Sequence, residues 1–141
     1  SGTPSGTGNL VVERGIGVNN ATPITGISVG SDSAIVTTEK NVSDSGTITI
    51  DWNNGNQQLI RLAASRTVNF SNASAGQTLR LVVCTTATSR TVTWGSTIRW
   101  AGGSAPSQTS TANKCDVFSF IGTLGHTGSS VVIFGAATSN F

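Results

Sequence analysis

The stretch GTITIDW, residues 46–52, is where the chain first adopts a period of two: Ile48, Ile50 and Trp52 alternate with Thr47, Thr49 and Asp51. A strand with one buried face requires that alternation. Asn53, Asn54, Gly55 and Asn56 follow, all residue types that tolerate positive φ, so a turn is expected. The same alternation recurs downstream. Residues 58–62 and 67–70 read as strands, with a loop at 71–76. In residues 78–84, Leu79, Leu81 and Val83 share one face, and Val82 and Cys84 the other. Residues 91–94 and 97–100 flank a Gly95-Ser96 turn, a polar loop spans 101–113, and residues 115–121 and 130–134 complete the set.

No window places apolar residues at i, i+3, i+4 and i+7 over three turns, so no helix is expected. Thr and Val enrichment agrees, because a branched Cβ packs well on a pleated surface and is stiff in a helix. Short strands at regular spacing predict an all-β fold, specifically a two-layer antiparallel β-sandwich or jelly roll. Upstream the pattern differs. Residues 1–45 hold short apolar pieces, Leu10, Val11 and Val12 and then Ile24, Ile27 and Val29, broken repeatedly by glycines and by Pro4 and Pro23. They read as an extended N-terminal arm that orders on a neighbour, with edge strands as the other possibility. Residues 46–141 read as the β-domain.

Composition narrows the function. Thr, Ser, Gly and Asn fill nearly half of the 141 positions, while 10% of residues are charged and the net charge is +2. The average globular chain carries about 25% charge, so hydroxyls and amides must build this surface. Scattered charges give no nucleic-acid footprint, and no apolar stretch is long enough to span a bilayer. The first residues lack a signal peptide's basic and apolar regions, which fits removal of such a peptide or, more simply, of an initiator Met.

Candidate chemistry is sparse. His126 is the single imidazole, Cys84 and Cys115 stand 31 positions apart, and a structural zinc site needs four such ligands, so no metal is expected. The two cysteines are compatible with one disulfide if their strands are neighbours; equally they are small buried hydrophobes, and the reduced, buried state is the expectation. Nucleophilic catalysis lacks a base other than His126 and a G-x-S-x-G elbow. A glycosidase pair could draw only on Asp51 and Asp116 within strands, and both read as solvent-face residues. Neither catalytic residues nor cofactors are expected. Four Asn-x-Ser/Thr sequons, at Asn20, Asn41, Asn69 and Asn72, matter only in a eukaryotic secretory setting. Trp52, Trp94 and Trp100 could form a sugar-stacking platform, but the phase of Trp52 with Ile48 and Ile50, and of Trp94 with Val92, favours a core or subunit contact.

Residues 46–83 (GTITIDWNNGNQQLIRLAASRTVNFSNASAGQTLRLVV), residues 89–123 and the terminal SVVIFGAATSNF together resemble a β-domain of tailed-bacteriophage virion proteins. The matching features are the strand ending in Asp51-Trp52, VNFSN at 68–72, RTVTW at 90–94, IRWAGGSAP at 98–106, DVFSFIGT at 116–123 and a C-terminal aromatic. Residues 24–40 resemble the collar-like segments that precede such domains in fibre proteins.

The resemblance implies a structural role on the surface of the virion: a small capsid decoration (cement) protein, homotrimeric, bridging major capsid protein subunits. The length favours this role, the 141 residues being read as complete without a shaft. Leu10, Val11, Val12, Ile16, Val18, Ile24, Ile27 and Val29 would then make capsid or inter-subunit contacts. The alternative is a tail-fibre or receptor-binding tip that takes host glycan on the loops 71–76, 101–113 and 122–129, with Trp52, Trp94 and Trp100 as ligand or interface aromatics. A depolymerase is the third class, and it would need Asp51 and Asp116 in one groove.

Overall fold

The computed structural model describes residues 38–125, Gly128 and residues 130–141. Their strands, in chain order, are β1 (Lys40–Val42), β2 (Thr47–Asp51), β3 (Gln57–Leu62), β4 (Arg66–Ser71), β5 (Thr78–Thr85), β6 (Val92–Trp94), β7 (Ile98–Trp100), β8 (Lys114–Leu124) and β9 (Val131–Thr138). Two short 3-10 turns, Trp52–Asn54 and Ala101–Gly103, are the only helical pieces among the described residues. The protein is all-β there. Its sheet starts upstream of residue 46, since β1 pairs with β3.

The larger sheet runs β1-β3-β5-β8-β9-β7 and the smaller β2-β4-β6. From β1 to β6, consecutive strands alternate between the two sheets, so that same-sheet neighbours run parallel. Lys40 stands opposite Gln58 and Gln58 opposite Leu81; Thr47 stands opposite Thr67 and Thr67 opposite Thr93. The chain therefore winds. Then β8 turns back antiparallel to β5, β9 antiparallel to β8, and β7 joins parallel to β9.

These mixed sheets correct the antiparallel expectation. Alternation along a strand reports which face is buried and is silent about the direction of the neighbour. The segments at 53–56 and 95–96 carry the chain from one sheet to the other instead of folding a hairpin. Trp52, in phase with β2, leaves the strand for a 3-10 turn that Asp51 caps, its side chain accepting from the Asn53 N–H at 2.9 Å.

The core forms where both sheets contribute apolar faces. Ile48 and Ile50 of β2 and Val68 of β4 join Leu81 and Val83 of β5 and Phe118 and Phe120 of β8 in one buried cluster. Each such side chain contributes about 1.5–3 kcal/mol by leaving water.

Polar side chains close the corners. At the exit end of β2 and β4, Gln58, fully buried, donates to the carbonyls of Asp51 (2.7 Å) and Gly55 (3.1 Å). Gln77 donates to the Trp52 carbonyl at 2.8 Å, and Asn72 donates to Asp51 at 2.9 Å, tying one winding to the next. At the entry end, Arg66 forks onto Asp44 (2.7 and 2.5 Å) and Ser65 accepts from the Thr91 N–H. On β6 the side-chain amide of Gln108 meets both the N–H and the carbonyl of Val92 (2.6 and 2.9 Å), standing in for a further strand. Gly122 of β8 faces the Ser74 carbonyl so closely that a Cβ there would collide with backbone. Only glycine fits.

Cys84 and Cys115 form a disulfide, against the expectation of reduced thiols. They are cross-strand partners on β5 and β8 with Cα atoms 4.0 Å apart. Both backbone groups of Cys115 bond to Phe141, so this is a non-hydrogen-bonded position of the β5–β8 ladder, where side chains lie closest. Alternation places both cysteines outward, half-buried rather than in the core.

Two outcomes follow from this architecture. Replacing both cysteines by Ser should lower unfolding free energy by roughly 3–4 kcal/mol, the chain-entropy value for a loop of this length, read by urea titration. The Arg66 hydrogen bonds hold the Asp44 carboxyl below the usual Asp range. A carboxyl so lowered contributes stability above its unfolded pKa, near 3.9, and loses it as pH falls through the lower folded value. The urea midpoint should therefore fall less below pH 4 in Asp44→Asn than in the parent, the variant having already lost about 1 kcal/mol or less at neutral pH.

Candidate functional site

The three tryptophans come together. Trp52, 1% exposed, meets Phe70 edge-on at 5.8 Å, and Phe70 stacks on Trp94 at 6.1 Å. Trp94 lies 5.3 Å from Trp100 and 5.0 Å from Phe118, and Trp100 lies 5.7 Å from Phe120. Aromatic pairs at such separations add about 0.5–1.5 kcal/mol beyond the area they bury. The inward phase read for Trp52 and Trp94 agrees with this cluster, in which Trp94 and Trp100 are half-buried. Trp100 lies against Gly135 of β9, where a Cβ would come within 2.7 Å of the indole.

The two strand-borne carboxylates hold backbone. Asp116 is 3% exposed, correcting its reading as a solvent-face residue. It alternates with Phe118 and Phe120 on the inward face of β8, and accepts from the N–H groups of Thr109 (2.7 Å) and Asn140 (3.0 Å). It thus fastens the 101–113 loop and the C-terminal segment to one strand. Asp51, half-buried at the end of β2, is held below the usual carboxylate range by hydrogen bonds from Asn72 and from the Asn53 N–H. Among the described residues no three His, Cys, Asp or Glu side chains gather as a metal site. His126 and the proposed contact residues Leu10, Val11, Val12, Ile16, Val18, Ile24, Ile27 and Val29 lie outside the described residues.

Sequence reasoning missed the outward face of the larger sheet. Ile121 of β8 stands opposite Phe134 of β9, and they are 52% and 48% exposed. Beside them the small pair Ser119 and Ala136 leaves a depression. Arg99 of β7 flanks Phe134, and Arg80 of β5 flanks Ser119, both exposed. The signal was present in the phase: Ile121 and Phe134 sit one position off the inward Phe118, Phe120 and Ile133.

The tryptophan geometry yields a measurable separation of roles. Trp52→Ala should lower unfolding free energy by about 3–5 kcal/mol, as expected for a buried aromatic, whereas an indole serving only an external ligand would leave the urea midpoint unchanged.

Comparison with protein-family models, curated proteins and solved structures finds no match for the chain. Its role is therefore to be read from its own faces: an aromatic interior, carboxylates spent on backbone, and an outer sheet surface with apolar and cationic side chains.

Proposed function

We propose that the protein is a structural component of a tailed-bacteriophage particle, a capsid decoration protein that works as a homotrimer and bridges neighbouring capsid subunits. On this reading its two sheets stack as a two-layer sandwich, and the segment upstream of the sheets contacts the shell or a neighbouring subunit. The observation that carries it is the exposed Ile121–Phe134 pair on the outer sheet face, an apolar surface on a body whose other aromatic rings, apart from that of Phe141, gather inside. Exposed apolar side chains beside arginine are the usual makings of a protein contact.

The mechanism is mass action. A protein that binds only the assembled shell stabilises it, by about 2.7 kcal/mol per site at a free concentration one hundred times Kd. A second reading, a tail-fibre or receptor-binding tip, is favoured by a different observation: the Phe134 ring and Arg99 border one hollow on that face.

The test adds the purified protein to expanded phage shells and to unassembled coat protein. Preferential binding to shells, with a raised shell melting temperature, is expected. Equal binding to free coat protein would overturn the decoration role.

A further inference from the structure

We propose that the outer face of the larger sheet is a binding site for an extended, carboxylate-bearing polysaccharide. The site is a trough crossing β5, β8, β9 and β7. Its floor is the cross-strand pair Ser119 and Ala136, and one wall is the pair Ile121 and Phe134. Two adjoining hollows make up its length. One, of about 440 Å³, is bordered by Asn56, Gln57, Thr78 and Arg80; the other, of about 480 Å³, by Arg99, Ala101 and Phe134; Ser119 and Ile121 border both. Amides, hydroxyls and a guanidinium thus line one half, and the Phe134 ring and a second guanidinium the other.

Charge selects the occupant. Arg80 and Arg99 are exposed, and the only ion pair among the described residues is Arg66 with Asp44. Asp51 and Asp116 are committed to backbone, and Glu39, at the Gln57 end, accepts from that amide at 2.9 Å. The trough therefore carries two guanidinium groups against the one carboxylate of Glu39 at its Gln57 end. A second copy docked face to face would set arginines against arginines, which disfavours self-association.

Spacing and backbone select further. β5 and β7 are three strand intervals apart, about 14 Å, so an anion that reaches both arginines must be a polymer rather than a single phosphate or monosaccharide. β5, β8 and β9 are each paired on both sides. Their N–H and carbonyl groups are consumed by the ladders, and a peptide cannot add there as a strand. Recognition falls to side chains: guanidinium to carboxylate, hydroxyl and amide to sugar hydroxyls, and aromatic ring to the apolar face of a pyranose. Two arginines are too sparse for a nucleic-acid backbone, which is met by many phosphate contacts.

This assignment uses the same face as the decoration reading, and it is read on the free chain, so that either can fail without the other. It is tested by isothermal titration of the full chain with polygalacturonate and hyaluronan oligosaccharides, neutral dextran, poly-glutamate and single-stranded DNA. Binding to at least one acidic glycan, weakened by salt and absent with dextran, is expected. Arg80→Gln and Arg99→Gln should each weaken it by about tenfold, the worth of one charge-assisted hydrogen bond, with urea midpoints unchanged. The proposal is overturned by no binding to either acidic glycan, by poly-glutamate or DNA binding as tightly, or by glycan affinity indifferent to both substitutions.

Discussion

A chain that leaves its sheet at every corner strands backbone N–H and carbonyl groups where no ladder continues, and those groups need partners before the corner can be buried. This constraint organises the molecule. Gln58 serves two carbonyls of the first corner, Gln77 reaches back from the next winding to the Trp52 carbonyl, and Asn72 meets Asp51. Gln108 does for the edge strand β6 what a further strand would do. An abundance of amides and hydroxyls with few charges suits that work. An amide both donates and accepts without the desolvation cost of an ion, as Gln77 does between the Ser74 N–H and the Trp52 carbonyl.

The winding alone would leave β5 at an edge of its sheet. β8 covers that edge along its length, and the Cys84–Cys115 bridge fixes their register at one end. Asp116, one residue further on, holds the 101–113 loop and the C-terminal segment. A covalent link, a buried carboxylate and the Phe141 pairing with Cys115 are thus concentrated at one end of β8. At its other end Gly122 admits the Ser74 carbonyl, so the second corner seats directly on the strand. The sequence reads residues 115–121 of β8 as a strand, but its extension to Leu124 and its position between a winding and an antiparallel β9 are set by these contacts.

Much of this was legible in the residues. The alternation of Ile48 with Ile50, and of Leu79 with Leu81 and Val83, marked strands whose inward faces are the buried ones. The direction of neighbouring strands was not legible, because period-two patterning is identical in parallel and antiparallel ladders. Only the loops distinguish them, and Asn53–Asn56 suits a reversal and a corner equally. The disulfide was hidden for a related reason: a separation of 31 residues is informative only once β5 and β8 are known to be partners. The candidate trough was missed because Ile121 and Phe134 look like core residues until register sets them outward.

Register therefore separates the two uses of apolar side chains in this protein. Phe118 and Phe120 enter the aromatic cluster, while Ile121, next in sequence, turns to the opposite face and finds Phe134 beside it. A one-residue slip of β9 against β8 would break that pair and return Phe134 to the interior. The contacts that prevent a slip are the core cluster, the Gly135 approach to Trp100, and the Asp116 hold on the C-terminal segment. The outward surface thus depends on interior packing that never touches it, and its apolar and cationic groups keep fixed places on a sheet whose strands β5, β8 and β9 are already paired on both sides.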